Sequence, residues 1–336
     1  LKVIKEASEH EEGRGIFEFS DRFSVFDWGE MPDHIPNKGA ALCVMTAWNF
    51  EQLEKESVPT HYFYVLDPPS NKPTFVHTLG EPSNRMVVSL SRVVKPEFRD
   101  GRFSYDYFVN GRGRIDNFVV PLEVIYRAGA PKGSSLLKKF EELRVSGDER
   151  GLQALLDKYG LTEPPKAGDL FPKVGYDFTT KFEPSYRPVS DEEAFDISGL
   201  TEEQFRQLEV IREKAVELVG ARCREVGMTD FDGKEEYRLL NGKVAIVDVF
   251  GTLDENRFML NGMQVSKEFL RQVYRKEQPE WYDAIQRAKE TARKQRIDNW
   301  KQFVDVQPQP LDHKLVALVG EMYSAAADRY TGLELF

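Results

Sequence analysis

The chain has 336 residues, a length that favours two domains over one. Hydrophobic residues make up 40% of it and aromatic residues 12%, which is enough to form a buried core. The formal net charge of -10 argues against a general nucleic-acid binder or a membrane-surface protein, and leaves anionic ligands compatible only with a local cluster of Lys and Arg.

Residues 1–120 are predicted to be rich in β-structure. Apolar and polar residues alternate over residues 15–26 and again over 102–109, which is typical of half-buried strands. A turn at Asn110-Gly111 is expected to lead into a strand over residues 115–125. Between these elements we expect a helix over residues 39–55 and two strands at 62–66 and 86–90.

A loop leading into a helix is expected next. The loop runs from Pro131 to Ser135 and precedes an amphipathic segment with Leu136 and Phe140 on one side. Free backbone N–H groups and the helix dipole make such a helix start suitable for phosphate, and Arg127 just upstream adds positive charge. The alternative is an ordinary serine N-cap, worth ~1 kcal/mol.

The rest of the chain is predicted to be mostly helical around one hairpin. Residues 146–175 are expected to form an inserted helix and an exposed loop. Thr201-Glu202-Glu203-Gln204 is a capping box, which predicts a long helix ended by Gly227. Further helices are expected over residues 266–273, from 281 to about 300, and over 311–330.

The hairpin carries the two most informative residues, Glu236 and Asp248. Their two apolar-rich segments are joined by Asn241-Gly242, which is the strongest short-range signal for a β-hairpin. Two carboxylates near one lysine, Lys234, are costly to bury unless a metal ion or a phosphate satisfies them. The alternative interpretation is a pair of solvated acids on an edge hairpin.

The loop length decides whether the two acids share a face. A two-residue loop would pair Leu240 with Lys243 and send Glu236 and Asp248 to opposite faces of the sheet. A three-residue loop with a left-handed glycine would bring them to the same face. We therefore predict a bulged hairpin, with Lys234 on the face of the two acids.

Cysteine and histidine usage limits the other kinds of site. Cys43 and Cys223 lie far apart in apolar helical contexts, so we expect buried free thiols. The five histidines show no spacing typical of a zinc site, and no apolar run approaches the ~20 residues of a membrane span. These observations predict a cytoplasmic protein without a zinc site.

Several motifs, in chain order, resemble those of one family. The matching segments are Ser20-Asp21-Arg22-Phe23-Ser24-Val25-Phe26-Asp27, Ile35-Pro36-Asn37-Lys38-Gly39, Val58-Pro59-Thr60, Val120-Pro121-Leu122-Glu123-Val124-Ile125-Tyr126-Arg127 with Gly133-Ser134, Thr180-Lys181-Phe182-Glu183, Asp232-Gly233-Lys234-Glu235-Glu236-Tyr237, Asp248 with Asp254-Glu255-Asn256-Arg257-Phe258, and Ser266-Lys267-Glu268-Phe269-Leu270-Arg271. They span about residues 11–275 and resemble the phosphoribosylaminoimidazole-succinocarboxamide synthase (SAICAR synthetase) family of purine biosynthesis.

The resemblance implies a fold and a reaction. The implied fold is α+β, with a β-rich, kinase-like N-terminal lobe over residues 1–120 that binds nucleotide. An ATP-grasp-like domain over residues 121–336 would carry the metal and ribonucleotide sites and the C-terminal helices. The implied reaction condenses carboxyaminoimidazole ribonucleotide (CAIR) with L-aspartate and ATP to give SAICAR, ADP and phosphate. ATP and Mg²⁺ are the implied cofactors; the partners are these small molecules, with no nucleic acid or membrane, and a homodimer is compatible.

The resemblance also implies roles for ten residues. Carboxylates are the hard oxygen ligands that magnesium prefers, and an arginine fork beside a helix N-terminus suits a phosphate dianion. The implied roles are catalysis by Lys234, Glu236 and Asp248, metal binding by Glu236 and Asp248, substrate binding by Arg127, Ser134, Asp254 and Arg257, and nucleotide binding by Arg14, Glu123 and Lys181.

Some positions depart from the family pattern. Glu12 stands where a lysine that approaches the nucleotide is expected, while Arg14 keeps a second basic position. Tyr186-Arg187 replaces a His-Asp pair, Arg238 replaces a glycine and Val249 an acid. The chain also has longer segments near residues 140–175 and at its C-terminal end.

These departures leave three alternatives to the implied reaction. One is a divergent family member that uses another amine or carboxylate. Another is a phosphotransferase, since Asp248-Val249-Phe250-Gly251 faintly resembles a kinase metal-binding motif, although no His-Arg-Asp loop accompanies it. The last is a non-catalytic relative that binds the ligand without turning over ATP.

Overall fold

The computed structural model describes residues 1–99, 101–183, 186–295, 297 and 299–336. Its α-helices are α1 Lys38–Lys55, α2 Asp106–Gly111, α3 Ser135–Ser146, α4 Glu149–Tyr159, α5 Asp191–Ser198, α6 Glu202–Glu225, α7 Lys267–Glu277, α8 Pro279–Gln295 and α9 His313–Thr331. Its strands are β1 Lys2–Lys5, β2 Gly13–Glu18, β3 Tyr62–Leu66, β4 Pro73–Thr74, β5 Arg85–Leu90, β6 Glu97–Arg99, β7 Arg102–Ser104, β8 Phe118–Gly129, β9 Leu170–Thr180, β10 Pro188–Val189, β11 Met228–Asp230, β12 Asp232–Leu240, β13 Lys243–Val247, β14 Phe258–Leu260 and β15 Met263–Gln264.

The first large sheet is built from residues 2–90. Its strands are all antiparallel and lie in the order β1-β2-β5-β3-β4. Helix α1 packs between this sheet and helices α6 and α9, so it is buried on most of its surface. The predictions of the helix over residues 39–55 and of the strands at 62–66 and 86–90 are confirmed to within one residue.

The second large sheet carries the chemistry-bearing strands. Its order is β10-β9-β8-β12-β13, again antiparallel throughout, which places β8 and β12 near its centre. Pro121 lies in β8 where the pairing with β12 shifts register between Glu236 and Arg238. Proline has no N–H to donate, so a position at such an irregularity is where a central strand tolerates it.

The two sheets meet along short bridges. Thr60 pairs with Ile246 and Arg92 with Phe118, each as an isolated parallel bridge. One hydrophobic core runs through both sheets and the helices around them. The fold is α+β, as the resemblance implied. Strand β8 runs across residue 120, so the division into domains at that residue stays a prediction.

The predicted bulge in the β12–β13 hairpin is wrong. Leu240 pairs directly with Lys243, and Asn241 and Gly242 form a two-residue loop with φ values of 52° and 70°. Positive φ at both loop residues is the geometry that Asn-Gly favours, because it matches the twist of the flanking strands. Glu236 therefore faces Val247 rather than Asp248, and another device must bring the two acids together.

Three predicted strands have different bounds. The segment over residues 102–109 forms β7 and then α2, because Tyr105 and Phe108 are three residues apart and are both buried, which suits a helical turn. The predicted turn at Asn110-Gly111 is thus the last turn of α2. The first predicted strand ends at Glu18, before Phe26 and Asp27 with positive φ, and the strand predicted over 115–125 is β8.

The inserted segment after the first sheet has a small core of its own. Helices α3 and α4 pack together, and the helix predicted within residues 146–175 is therefore confirmed as α4. The expected exposed loop is shorter than predicted, since strand β9 already begins at Leu170. The core residues are Leu136, Phe140, Leu155, Leu156 and Tyr159.

The predicted helices of the second half are confirmed, with small shifts. The Thr201 hydroxyl accepts from the Gln204 N–H, and the Gln204 side chain accepts from the Thr201 N–H, which completes the capping box of α6. Helix α8 is described to Gln295, and residues 296 and 298 of the segment predicted to reach about 300 lie outside the described residues.

The last helix, α9, supports the segment that follows β13. It packs on α1, and the Tyr330 hydroxyl donates to Asn49 Oδ1 at 2.8 Å. Asn49 Nδ2 in turn donates to the backbone oxygens of Phe250 and Gly251, at 3.2 and 3.0 Å. A chain of hydrogen bonds therefore runs from α9 through α1 to residues 250–251.

The cysteine prediction is confirmed, since Cys43 and Cys223 are both buried free thiols. None of the helices in the described part of the chain combines the length and the apolar character required to span a bilayer.

Candidate active site

Strand β12 places two charged side chains next to each other. Lys234 and Glu236 are two residues apart and therefore lie on the same face of the strand, with Lys234 Nζ 2.7 Å from Glu236 Oε1. Lys181, just after β9, contacts the other oxygen of the same carboxylate. Burial disfavours the charged form of Glu236, but the two ammonium groups outweigh it and hold its pKa below the ordinary value.

Lys234 has further carboxylates around it. Its Nζ lies 3.3 Å from Glu123 on β8 and 3.4 Å from Glu255 in the segment after β13. Burial works against the ammonium, but the charges of Glu255, Glu236 and Glu123 outweigh it and raise the pKa of Lys234. Lys234 therefore stays protonated across the physiological range of pH.

Asp248 reaches the same place by a left-handed turn. It is the first residue after β13 and has a φ of 66°, which takes its side chain out of the strand alternation. Asp248 and Glu236 line the same cavity. Burial first, and the Glu236 charge second, raise the pKa of Asp248 to about 7. The predicted convergence of the two acids thus arises from backbone geometry at Asp248 and not from a bulge.

His61 contacts the backbone of Asp248, and sequence analysis did not indicate this role. Its Nε2 lies 3.1 Å from the backbone oxygen of Asp248, and its ring makes edge contacts with Phe17 and Phe50. Burial, together with the charge of Arg238, lowers the pKa of His61 to about 3, so the ring is neutral. A lone histidine after Pro59-Thr60 gave no signal of this role.

The two acids fit a magnesium ion that is completed by nucleotide oxygens. Both are carboxylate oxygen donors, Glu236 buried and Asp248 half-buried, and burial followed by the charge of Glu236 raises the pKa of Asp248. In the ranges that the structure describes, no group of three or more His, Cys, Asp or Glu side chains could hold a metal. Magnesium in ATP-using enzymes commonly takes only one or two protein carboxylates and the substrate phosphates.

A first cavity of about 700 Å³ lies between the two sheets and ends at these acids. We call it the apolar-walled cavity. Its walls are mainly apolar, and its charged end holds Lys181, Glu236 and Asp248; Glu6 and Arg92 are its other charged wall residues. The apolar wall residues are Leu1, Val3, Ala7, Phe17, Leu90, Val93, Val94, Val119 and Val247.

The three predicted nucleotide-binding residues occupy different places. Lys181 lines the apolar-walled cavity at its charged end. Glu123 does not line it; its carboxylate accepts from Thr179 at 3.2 Å and contacts Lys234. Arg14 lies with its guanidinium 4.8 Å from the centre of the Phe63 ring and is not among the wall residues. Its predicted role in nucleotide binding stays a prediction.

A second cavity of about 730 Å³ lies on the other side of Lys234. We call it the charged cavity. Its walls contain seven basic side chains, which are Arg127, Lys234, Arg257, Lys267, Arg271, Arg275 and Lys289. They also contain six acidic side chains, which are Asp27, Glu123, Asp232, Asp254, Glu255 and Glu268.

Two of the predicted substrate-binding residues converge on one acid. Arg257 donates through Nε to Asp232 Oδ1 at 2.7 Å, and Arg127 Nη1 lies 3.6 Å from Asp232 Oδ2. Arg127 also donates to Asp177 at 3.0 Å. Both guanidinium groups are largely buried and line the charged cavity. The structure therefore brings the predicted arginine pair together, with each charge already balanced by aspartate.

Ser134 is placed beside this pair as a helix cap. Its hydroxyl accepts from the Leu136 N–H at 3.3 Å, so it is the N-cap of α3 as the plain alternative proposed. Its neighbours Gly133 and Ser135 line the charged cavity. The start of α3 thus faces the cavity, while the Ser134 side chain itself is buried.

Asp254 lies in the wall of the charged cavity but is fully engaged by the protein. Lys38 and Lys267 contact its Oδ2 at 2.8 and 3.5 Å, and the Tyr323 hydroxyl donates to its Oδ1 at 2.8 Å. Burial disfavours its charge, but the two lysines outweigh it and hold the pKa of Asp254 below the ordinary value. These contacts fit a structural junction of α1, α7 and α9, and its predicted substrate contact stays a prediction.

Sequence reasoning missed a row of basic residues in the charged cavity. Lys267, Arg271 and Arg275 follow each other at intervals of four on α7, which puts them on one face of the helix. That spacing was a readable signal. The two arginines contact Glu268 at 3.2 and 2.8 Å.

The departure at Tyr186-Arg187 lies at the edge of the charged cavity. Tyr186 lines the cavity, whereas Arg187 contacts Glu183 and Glu193 at 3.3 and 2.8 Å. The Tyr105 hydroxyl also donates to Glu183. Arg187 is therefore held away from the cavity wall by two acids.

Comparison with known sequences gives one consistent family. A profile described as SAICAR synthetase matches residues 4–288. A protein of Archaeoglobus fulgidus, provisionally assigned as a phosphoribosylaminoimidazole-succinocarboxamide synthase, is 39% identical over 337 aligned positions, which cover 100% of this chain and 93% of the relative.

Comparison with solved structures gives the same fold. The SAICAR synthase of Saccharomyces cerevisiae in complex with SAICAR has a TM-score of 0.60 at 20% identity and covers 99% of this chain and 95% of its own. A SAICAR synthetase in complex with ADP has a TM-score of 0.58 at 16% identity, with 98% of each chain covered. At these identities the likeness concerns the fold alone.

Proposed function

The chain belongs to the SAICAR synthetase family, and we propose that its reaction takes place where the apolar-walled and charged cavities meet. It is an ATP-dependent ligase that condenses CAIR with L-aspartate to give SAICAR, ADP and phosphate in de novo purine biosynthesis. The residues that carry each step are the subject of the proposal.

The chemistry sets what the site must supply. A carboxylate oxygen of CAIR attacks the γ-phosphorus of ATP, and the bond to ADP breaks. The acyl phosphate formed in this way is attacked by the aspartate amine, and inorganic phosphate leaves as the amide forms. The first step concentrates negative charge on the transferred group, so cations and a water-poor site lower its barrier.

One observation carries the proposal. The Lys234–Glu236 ion pair, at 2.7 Å, separates the two cavities, with Glu236 in the wall of one and Lys234 in the wall of the other. A phosphoryl group that moves from a nucleotide in the apolar-walled cavity to a carboxylate in the charged cavity must pass this pair. Lys234 and Lys181 are therefore assigned to the oxygens of the transferred group.

Glu236 and Asp248 are assigned to the metal-nucleotide complex. These two carboxylates would hold a magnesium ion, which would neutralise part of the charge on the nucleotide phosphates. The protein's own contribution is to bring the two acids together in the wall of one cavity, with the His61 ring contacting the backbone oxygen of Asp248 after β13. The apolar walls exclude water from the nucleotide.

Arg127 and Arg257 are assigned to the ribonucleotide phosphate, beside the start of α3. Both guanidinium groups can present parallel N–H donors to a dianion, and the N-terminus of α3 adds free backbone donors. Asp232 holds the pair in place before the phosphate arrives. The basic row of Lys267, Arg271 and Arg275 is our candidate for the carboxylates of aspartate, since it lines the same cavity.

The proposal is tested by measuring ADP and SAICAR formation in the wild type and in a Lys234 variant. We expect the protein with ATP, CAIR, aspartate and magnesium to release one ADP for each SAICAR formed, as measured by chromatography. Lys234→Gln should lower kcat by about 100-fold or more, because the ammonium is aimed at charge that develops in the transition state. Lys276→Gln, an exposed helical lysine, is the matched control and should keep full activity.

Two outcomes would contradict the proposal. Phosphate transfer to a hydroxyl compound without amide formation would favour the phosphotransferase alternative, and binding of CAIR without ADP release would favour the non-catalytic one. Replacing aspartate by other amino acids tests the divergent alternative, since only aspartate should give product at a comparable rate. A homodimer and a cytoplasmic location stay predictions.

A further inference from the structure

A buried arginine links the second sheet to the first at the edge of the apolar-walled cavity. Arg238 lies on β12, two residues after Glu236, and is 6% exposed. Its Nη1 donates to the Ser89 hydroxyl on β5 at 2.6 Å. Its Nε has no hydrogen-bond partner in the part of the chain that the structure describes.

The Ser89 hydroxyl also contacts an acid, Glu12. It donates its single proton to the Glu12 carboxylate and accepts from Arg238 with a lone pair, so one hydroxyl satisfies both neighbours. Glu12 lies in the turn over residues 6–12 that joins β1 to β2. The charge of Arg238 therefore reaches the first two strands through one side chain.

The same turn is held at a second point. Asn117, the residue before β8, donates through Nδ2 to the backbone oxygens of Ser8 and Glu11, at 2.6 and 2.7 Å. Both fastenings thus come from strands of the second sheet or their immediate ends. Neither uses the packing of apolar side chains.

These fastenings matter because β1 has little packing of its own. All four of its residues are exposed, and its pairing with β2 shifts register between Val3 and Lys5. Leu1 and Val3, together with Glu6 and Ala7 of the turn, nevertheless form one wall of the apolar-walled cavity. The position of this wall therefore depends on the polar bonds at the turn together with the irregular β1–β2 pairing.

Burying Arg238 in this way costs free energy that its hydrogen bond to Ser89 does not fully offset. A guanidinium with one neutral hydrogen-bond partner loses most of its hydration, and an apolar side chain of similar size would fill the space at lower cost. The net attraction that remains is toward Glu12, through Ser89. We therefore attribute to this hydrogen-bonded arrangement a role in positioning the turn over residues 6–12 rather than in stabilising the fold.

We propose that Glu12, Ser89 and Arg238 form a clamp that holds β1 and its turn against the nucleotide, and that Arg238 is a positioning residue for ATP. The proposal rests on the proposed function in placing ATP in the apolar-walled cavity. The clamp acts on the cavity wall and not on the phosphates, so its loss weakens the binding of every adenine nucleotide by the same factor. Loss of the clamp therefore raises KM for ATP and leaves kcat at saturating ATP nearly unchanged.

The test measures AMP and ADP affinity by calorimetry for Arg238→Gln, Glu12→Gln and the double variant. Each single change should lower the affinity for AMP and for ADP by the same factor, about tenfold, because each removes one charged hydrogen bond. The double variant should be no weaker than either single one, since all three residues act as a unit. Arg238→Lys should restore part of the affinity, because an ammonium can still reach the Ser89 hydroxyl.

A matched ion pair on the surface of α6 serves as control. Arg206 and Glu203 lie 3.4 Å apart and are both well exposed, so Arg206→Gln, Glu203→Gln and their double variant should leave both affinities unchanged. Thermal unfolding is recorded for every variant. If Arg238→Gln does not fold, Glu12→Gln and its comparison with Ser89→Ala carry the same test, because Glu12 is only partly buried.

Three results would overturn the clamp while the wild type still binds ADP. They are unchanged affinities in the single variants, additive losses in the double variant, and a larger loss for ADP than for AMP, which would instead mean direct contact between Arg238 and the phosphates. A wild type that binds neither nucleotide would overturn the proposed function, and the clamp with it.

Discussion

The two cavities that meet at the Lys234–Glu236 pair handle charge in opposite ways. The apolar-walled cavity is lined mainly by apolar side chains, and its charged wall residues are Glu6, Arg92, Lys181, Glu236 and Asp248. The charged cavity has almost equal numbers of basic and acidic wall residues, and every one of its seven basic side chains contacts an acid. In the proposed function, one cavity recognises its ligand by burying apolar surface, and the other does so by exchanging ion-pair partners.

This difference teaches how a chain of net charge -10 can bind several anions. The charged cavity offers no surplus of free positive charge, so a phosphate or carboxylate must compete with Asp232 or Glu268 for an arginine that is already held in place. Preorganised arginines need little reordering when the anion arrives. If the nucleotide binds in the apolar-walled cavity as proposed, its binding gains instead from removing the nucleotide's apolar surface from water.

The largest expected effect lies at the junction of the two cavities. Asp248→Asn should lower the rate of ADP release by about 10³-fold, because it removes a charge that faces the nucleotide phosphates in a buried site. The rate is measured with ATP, CAIR, aspartate and magnesium at saturation. Asp283→Asn, at an exposed position on α8, is the control for the loss of one carboxylate. Full activity in Asp248→Asn would remove this residue from the metal site.

The next effect separates the two cavities. Arg257→Met should raise KM for CAIR by about 100-fold and leave KM for ATP within about twofold, because truncating one partner of a buried charged pair costs ~2–5 kcal/mol. Steady-state kinetics with each substrate varied in turn provides the measurement. An equal rise in both KM values would show that the two cavities do not act independently. Arg206→Met is the control for a surface arginine.

Asp230 is a buried acid that forms no salt bridge within the described residues, so it tests what burial does to a carboxylate without a cationic partner. Burial raises the pKa of Asp230 to about 8, although Tyr126 and Asn256 donate hydrogen bonds to it. A folded-state pKa above the unfolded value means that the folded state binds more protons. This contribution to stability is complete below about pH 4 and is lost as the pH rises toward 8.

Asp230→Asn lacks this titration. As the pH rises through that window, its free energy of unfolding should therefore increase relative to that of the wild type by about 1.4 kcal/mol for each pH unit. The Asn256 amide oxygen lacks a partner among the described residues and can accept from the new side-chain NH₂ after an amide flip. Urea unfolding at pH 5, 6, 7 and 8 provides the measurement. A difference that does not change with pH would mean that Asp230 is ionised in the folded protein.

The smallest expected effect lies in the apolar-walled cavity. Phe17→Leu removes part of an aromatic wall, and burial of roughly 40 Å² less apolar surface corresponds to ~1 kcal/mol, or about a fivefold rise in KM for ATP. KM for CAIR should not change. Phe98→Leu, on an exposed strand, is the matched control. A rise in KM for CAIR instead would mean that the nucleotide does not occupy this cavity.

The sequence predicted the part of the site that depends on local spacing. Lys234 and Glu236 are two residues apart on a strand, and this alone places them on one face. The capping box of α6 and the serine cap of α3 were likewise readable, because each involves residues within one helical turn. Motif resemblance supplied the distant arginines Arg127 and Arg257, whose meeting at Asp232 depends on strand pairing between β8 and β12.

Other features could not be predicted because they depend on backbone geometry or tertiary packing. Asp248 reaches Glu236 through one left-handed residue, and no rule of strand alternation contains that option. The helical segment at Tyr105 and Phe108 forms because both rings find room in the core, which overrides their alternating pattern. The link between Glu12 and Arg238 joins residues more than two hundred positions apart through a third side chain.

The final helix has a consequence for anyone who trims this protein by homology. The family profile stops at residue 288, whereas α9 begins at His313. Yet α9 reaches Asp254 through Tyr323, and residues 250–251 through Tyr330 and Asn49. These residues connect the proposed metal ligand Asp248 to the proposed phosphate ligand Arg257. A version shortened to residues 4–288 would keep every motif of the family resemblance and lose the hydrogen bonds from α9 that hold the segment between Asp248 and Arg257.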